Sequence, residues 1–316
     1  MLKPYVIADG NYQKPADAIR DGQLVAFGTE TVYGLGGNAL DDHAVARIFE
    51  AKGRPSFNPL ISHVPDLETA FSYGVETPLA RTLAELYWPG PMTLILQKPE
   101  DSPVSDLATA GLDSIALRVP AKPQARAFLK ACDVPVAAPS ANRSGRISPT
   151  EAQHVAEELG FAQSPSASLA MILDFGPSED GLESTVIDAR HDDNIILRPG
   201  SITREMLSAS GMVAEMGGEK GIISPGQLES HYAPSKPVTL NITAPHKDDI
   251  HIGFGAHEGQ FNLSPSGSLT EAAANLYQLL RRADHQDGER ITIAPIPHEG
   301  LGHAINDRLG RAAASR

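Results

Sequence analysis

Along the first two hundred or so residues, short apolar runs of strand length alternate with segments whose apolar residues recur every three or four positions. Leu24-Val25-Ala26-Phe27 reads as a short buried strand, and the glycine-rich stretch GTETVYGLGGNA follows it. Asp41 and Asp42 offer N-caps for a helix whose Ala44, Val45, Ile48 and Phe49 share one face, and Gly53 ends it. The pattern predicts further strands over 60–64, 93–96, 115–119, 134–138, 171–175, 185–188 and 195–197. Helical patterns over 79–87, 124–131 and 151–159 separate several of them. Such alternation specifies an α/β fold with a mixed sheet of about seven strands.

The periodicity stops between Gly211 and Pro237. This stretch carries SPGQLESHYAPSKP, too aromatic and too patterned for a plain flexible tether. A second block follows, with strands over 238–242, 250–254 and 291–296 and helices over 269–283 and 304–314. The expected organisation is therefore a first domain over 1–210, a structured linker over 211–237 and a small α/β domain over 238–316.

Composition narrows the classes. Hydrophobic residues make up 41% of the 316, enough for a sizeable core, and no apolar run approaches the roughly 18 residues a membrane span needs. Met1-Leu2-Lys3-Pro4 leads into no signal-peptide core, and a lone cysteine, Cys132, suits a reducing compartment, so a cytoplasmic location is expected. The net charge of −13 disfavours indiscriminate binding to nucleic acid but permits a local basic cleft.

Familiar signatures are missing. The chain contains no Gly-Lys dipeptide, hence no Walker-type loop, and neither a G-x-S-x-G elbow nor an H-E-x-x-H zinc motif. Asp174-Phe175-Gly176 imitates a kinase triplet without its partners and reads as the end of a buried strand. Four other clusters sit at strand ends or in loops, where α/β sheets place ligands. Ala51-Lys52-Gly53-Arg54-Pro55 could clamp a polyphosphate or simply complement a helix dipole. Ser140 and Asn142, in APSANRSG, could bind a ligand or cap a turn. Gly181-Leu182-Glu183-Ser184-Thr185 is a polar entry to a strand, and Arg198 ends one before a chain reversal at Pro199-Gly200.

In this order, the clusters resemble the YrdC/Sua5 family of L-threonylcarbamoyladenylate synthases. FGTETVYGLGGNA is similar to the family's opening loop, with Gly28 where proline is usual, and Lys52-x-Arg54 with Ser140-x-Asn142 resembles its paired signature. NPLISHV, WPGPMTL, TAGLDSIALRVP, ESTVID and LRPGSI follow in the family's order, while PGQLESHYAP and GLGHAINDRLGRAAA resemble the longer Sua5-type members. The resemblance implies a YrdC-like twisted mixed sheet with flanking helices and a small Rossmann-like C-terminal domain. It implies that L-threonine, bicarbonate and ATP become threonylcarbamoyl-AMP and pyrophosphate. A transferase machinery then carries the threonylcarbamoyl group to position 37 of tRNA, and direct tRNA binding stays open.

The same resemblance assigns residues. Lys52, Arg54, Ser140 and Asn142 carry the catalysis, with the two cations holding triphosphate from an exposed position in the cleft and the two neutral side chains donating to oxygens. Arg118 and Arg198 add positive charge, and Asn58, Ser148 and Tyr232 are further ATP contacts. Thr29, His63, Thr109, Arg118 and Ser184 read threonine. Mg²⁺ bridges the phosphates and keeps most of its waters, so no protein metal cage is expected. The linker over 211–237 is expected to act as a lid, its Pro225 and Pro234 stiffening the approach to His231 and Tyr232. Gly28 is expected to loosen the loop that holds Thr29, and the linker lacks the family's basic residues before the His-Tyr pair. Two other activities remain open at this point: an RNA-binding module of the same fold, and a transferase using carbamoyl phosphate.

Overall fold

A computed structural model describes residues 10–160, 169–191, 194–212, 214–217 and 231–314. In chain order the first elements are α1 (Gln13–Arg20), β1 (Leu24–Gly28), β2 (Tyr33–Asn38), α2 (Asp42–Lys52), β3 (Ile61–His63), α3 (Leu67–Tyr73) and α4 (Pro78–Tyr87). Then come β4 (Met92–Gln97), β5 (Ser114–Arg118), α5 (Pro123–Cys132), β6 (Val136–Ala137), α6 (Ala152–Leu159) and β7 (Leu169–Leu173). β8 (Thr185–Asp188), β9 (Asn194–Arg198), α7 (Arg204–Ala209) and β10 (Ala214–Met216) complete a mixed sheet ordered β10-β9-β8-β4-β5-β3-β6-β2-β1-β7.

Both faces of this sheet are covered, which explains its nearly continuous apolar runs. Within β1 the faces alternate with the strand period of two. Leu24 and Ala26 join a core with Val45 and Ile48 of α2 and Leu83 of α4. Val25 and Phe27 face Ile19 of α1 and Phe128 of α5 on the other side. The helix from Asp41 starts and stops where its caps lie: the Asp41 carboxylate accepts from the His43 amide at 2.9 Å, and Gly53 takes a left-handed φ of 59°.

The second sheet, built from β11 (Val238–Thr239), β12 (Ile250–Gly253), β13 (Phe261–Asn262) and β14 (Ile291–Ile293), runs in the order β11-β14-β12-β13 with every pair parallel. Helices α8 (Leu269–Asp284) and α9 (Leu301–Ala313) pack Leu276, Leu280, Ile305 and Leu309 against it. The same apolar cluster includes Val32, Ile147 and Leu182 from the first part of the chain, so the two sheets share a continuous packed contact.

The first sheet exceeds the expected strand number because β10 adds a strand beside β9 and because β2, YGLGGN, is a fully paired strand rather than a glycine-rich loop. Its glycines answer a steric demand. A β-carbon at Gly36 would lie 2.8 Å from Val136 Cγ1 and 3.0 Å from Phe27 Cε1. Expectations over 134–138, 238–242 and 291–296 shrink to the paired residues of β6, β11 and β14, while α1, α3, α7, β10 and β13 are additions. Of the linker, Pro225 and the run Gly226-Gln227-Leu228-Glu229-Ser230 lie outside the described residues.

Candidate functional site

Strand register assembles the site at the ends of interior strands of the first sheet. β3 and β5 are parallel and pair His63 with Arg118, the last residue of each. Antiparallel β8 and β9 pair Val186 with Arg198, bringing the end of β9 beside Ser184 at the entry to β8. The turn between β1 and β2 adds Thr29 and Thr31, and Gly34 bridges to Ser140. Around the pocket so formed stand Thr29, Arg54, His63, Arg118, Ser140, Ser184, Arg198 and Tyr232, all expected from sequence. Lys52, Asn58, Thr109, Asn142 and Ser148 do not line it.

The pocket walls are rich in buried charge. Arg118 donates to Glu30 Oε1 at 2.5 Å, to Thr31 Oγ1 at 2.8 Å and to the Gly90 carbonyl at 3.3 Å. Arg198 donates to the carbonyl and hydroxyl oxygens of Ser184 at 2.9 and 3.1 Å, and Thr93 shares that hydroxyl at 2.7 Å. Arg54 is 9% exposed, with its guanidinium donating to the Pro59 carbonyl at 3.2 Å, and burial lowers its pKa to about 10. Thr29 is fixed by its own hydroxyl, which donates to the Val32 carbonyl at 2.7 Å. Its loop is therefore anchored despite Gly28, where the Tyr33 ring occupies the space of a β-carbon, with Cζ only 2.9 Å away.

Lys52 requires a correction. It is not exposed in a cleft but only 3% accessible, and its ammonium donates to the carbonyls of Ser140 at 2.6 Å and Asn142 at 2.5 Å. Burial first, and the charge of Arg54 second, push its pKa down to about 7. Arg54 is likewise buried rather than exposed. Asn142 spends its amide donors on the carbonyls of Arg143 and Arg146, both at 2.8 Å, leaving its Oδ1 unpaired. Ser148 donates to Glu183 at 2.5 Å, and Thr109 accepts from Lys98 at 3.3 Å, away from the pocket wall.

Among the unpaired buried polar atoms, Nδ1 of His63 and of His231 belong to the pocket lining, whereas both side-chain atoms of Asn58 and Oδ1 of Asn142 belong to residues that do not line it. Each such group costs about 1–3 kcal/mol unless a ligand or water satisfies it. Burial holds both imidazoles neutral, with pKa values lowered to about 3.

Thr31 and Glu183 are polar lining residues without an assigned role in the sequence reading. Glu183 stood in view within GLESTV, but nothing local marks which carboxylate will be buried. Although burial by itself would raise its pKa, the charges of Arg308 and Arg198 and hydrogen bonds from Ser148 and Tyr277 hold it at about 2. Among the described residues no group of three or more His, Cys, Asp or Glu side chains could cage a metal.

The family model Sua5_yciO_yrdC, described as "Telomere recombination", matches residues 17–200. A second model, "Threonylcarbamoyl-AMP synthase, C-terminal domain", matches 202–314. The threonylcarbamoyl-AMP synthase of Bacillus subtilis (strain 168) is 37% identical over 98% of this chain and 94% of its own length. That of Pyrococcus abyssi (strain GE5 / Orsay) is 38% identical over 95% of this chain and 93% of its own. The crystal structure of P. abyssi Sua5 complexed with L-threonine superposes with a TM-score of 0.87 at 36% identity, covering 99% of this chain and 97% of the other. The E. coli YciO structure matches at a TM-score of 0.54 and 22% identity over 63% of this chain, a likeness of fold.

Proposed function

The chain belongs to the Sua5/YrdC family, in its two-domain form, and on that premise we propose that it is an L-threonylcarbamoyladenylate synthase. It takes L-threonine, bicarbonate and ATP to threonylcarbamoyl-AMP and pyrophosphate, and its product serves N6-threonylcarbamoyladenosine formation at tRNA position 37. The observation that carries this reading is the pocket itself: Arg54, Arg118 and Arg198 converge with hydroxyl groups and the unpaired Nδ1 atoms of His63 and His231 where an anionic, hydroxyl-bearing ligand would fit. The reaction is cytoplasmic in this reading.

The chemistry asks for positioning and charge neutralisation. A carbamate formed from the threonine amine attacks the α-phosphorus of ATP, and pyrophosphate leaves. Arg118, His63, Thr29 and Ser184 surround the amino acid, and Thr109, held by Lys98 and the Asp106 carbonyl, acts from outside the lining. Arg54, Arg198, Ser140 and Tyr232 face the nucleotide. Lys52, Asn142 and Ser148 act through the loops they hold, Lys52 by clamping the carbonyls of Ser140 and Asn142. The unpaired side-chain atoms of Asn58 are left for the nucleotide or a water. Mg²⁺ carried on the ATP phosphates would supply further charge neutralisation there. The local donor set suits that arrangement, because Glu30 and Glu183 are already committed to Arg118 and Arg308. His231 and Tyr232 form part of the wall and so help exclude water from a hydrolysable carbamate and adenylate.

Incubation with ATP, threonine and bicarbonate should release pyrophosphate and form the adenylate only when all three are present. Valine should be rejected by about 10⁴-fold and serine by only about 1–3 kcal/mol, since a missing hydroxyl strands polar partners. Turnover with carbamoyl phosphate in bicarbonate-depleted buffer would overturn the reading.

A further inference from the structure

Beyond the pocket, the second domain reaches the site through two buried side chains, Arg308 and Tyr277. Arg308, on α9, is fully buried and is the largest side chain in that condition among the described residues. Its Nε donates to Glu183 Oε2 at 2.9 Å, its Nη1 to Asp307 at 2.6 Å and its Nη2 to the Pro199 carbonyl at 2.8 Å. Glu183 also accepts from Tyr277 of α8 at 2.7 Å and from Ser148 at 2.5 Å. Between these groups lies Tyr232. Its ring stacks on Tyr277 with centroids 5.5 Å apart and planes at 26°, and the Arg308 guanidinium carbon sits 5.4 Å from its centroid. Its backbone takes a φ of +62°, a left-handed conformation that a tyrosine keeps only where the surroundings impose it. The neighbouring amides are tied to both domains, His231 to the Arg311 carbonyl at 3.3 Å and Ala233 to the Gly145 carbonyl at 2.8 Å.

We propose that Arg308, Glu183 and Tyr277 are positioning residues that set the Tyr232 ring in the pocket wall, so that the C-terminal domain completes the nucleotide side of the site. This rests on the synthase reading, in which Tyr232 faces ATP. The arrangement gives the second domain a definite task. Arg308 lies behind the wall and acts only through what it holds. A cation and a stacked aromatic ring both restrain Tyr232, and Glu183 fixes both restraints to the strand entry that carries Ser184. A residue that merely stabilised the domain junction would affect every substrate alike.

The test is a double-mutant cycle in the full chain with Arg308→Met and Tyr232→Leu. Each single variant should raise the KM for ATP about tenfold with the KM for threonine unchanged, and the double variant should be no worse than Tyr232→Leu alone. Multiplying effects in the double variant, or an unchanged ATP KM in folded Arg308→Met, would overturn the proposal. If Arg308→Met does not fold because Glu183 is left as a stranded charge, Arg308→Met/Glu183→Gln takes its place in the cycle. Failure of the unaltered chain to form the adenylate would count against the synthase reading instead. The cycle is then read from calorimetric affinity for a non-hydrolysable ATP analogue, where the same non-additivity is required.

Discussion

Replacing Arg118 by methionine separates its structural role from its proposed role in binding. The residue is 3% exposed, and its guanidinium is the ion-pair partner of Glu30, itself 7% exposed. Methionine keeps much of the stem volume but leaves the Glu30 carboxylate with the Ala121 amide, which donates to it at 2.9 Å, in place of a cation. Stranding a buried charge in this way costs about 3–5 kcal/mol, which for a domain of this size lowers the thermal midpoint by about 10 °C. Arg118→Met/Glu30→Gln removes the stranded charge and should recover at least about 1 kcal/mol of that loss. Threonine affinity, read by calorimetry, should fall in Arg118→Met and stay low in the double variant, because neutralising Glu30 cannot restore a cation to the pocket. A loss below about 1 kcal/mol for Arg118→Met, or strictly additive effects with Glu30→Gln, would refute the buried-pair argument. Recovery of threonine binding in the double variant would refute the contact.

Lys52→Ala and Arg54→Ala should each lower turnover about a hundredfold, or about 2.7 kcal/mol, and each should also lower the thermal midpoint since both side chains are buried. Full synthase activity in either purified variant would remove the assignment. His63 and His231 have folded pKa values of about 3 against 6.5 unfolded, so the unfolded chain binds more protons between those limits. Stability is therefore lost as pH falls below about 6.5, by roughly 2 kcal/mol per histidine at pH 5, and urea midpoints of His63→Leu at pH 7 and 5 should show a smaller loss than the parent. Gly28→Ala should cost about 1–3 kcal/mol by thermal denaturation, because its β-carbon would meet the buried Tyr33 ring, whose hydroxyl is tied to the Gly176 carbonyl at 2.7 Å. A neutral outcome would mean that the ring yields.

Periodicity alone determined the α/β class, the helix from Asp41 to Gly53 and most strands of the first sheet. These depend on local caps and on apolar spacing, which are written in consecutive residues. The residue clusters that resemble the family were legible for the same reason, since Lys52-x-Arg54 and Ser140-x-Asn142 are short and contiguous. What each of those residues touches was not legible. Lys52 looked like a cleft cation, yet β2, β3 and β6 bring the loop at 140–142 over the end of α2, and the ammonium is consumed by two backbone carbonyls. YGLGGN looked like a loop because glycine carries no strand propensity, whereas it pairs with β1 and β6, and Val136 and Phe27 come too close to Gly36 to admit a β-carbon. The contact between Glu183 and Arg308 spans 125 positions, and no spacing rule reaches that far. Local chemistry and period belong to the sequence. Burial, and with it the charge state and partner of every polar group in the pocket, depends on which distant segments exclude water together, and only the tertiary structure decides that.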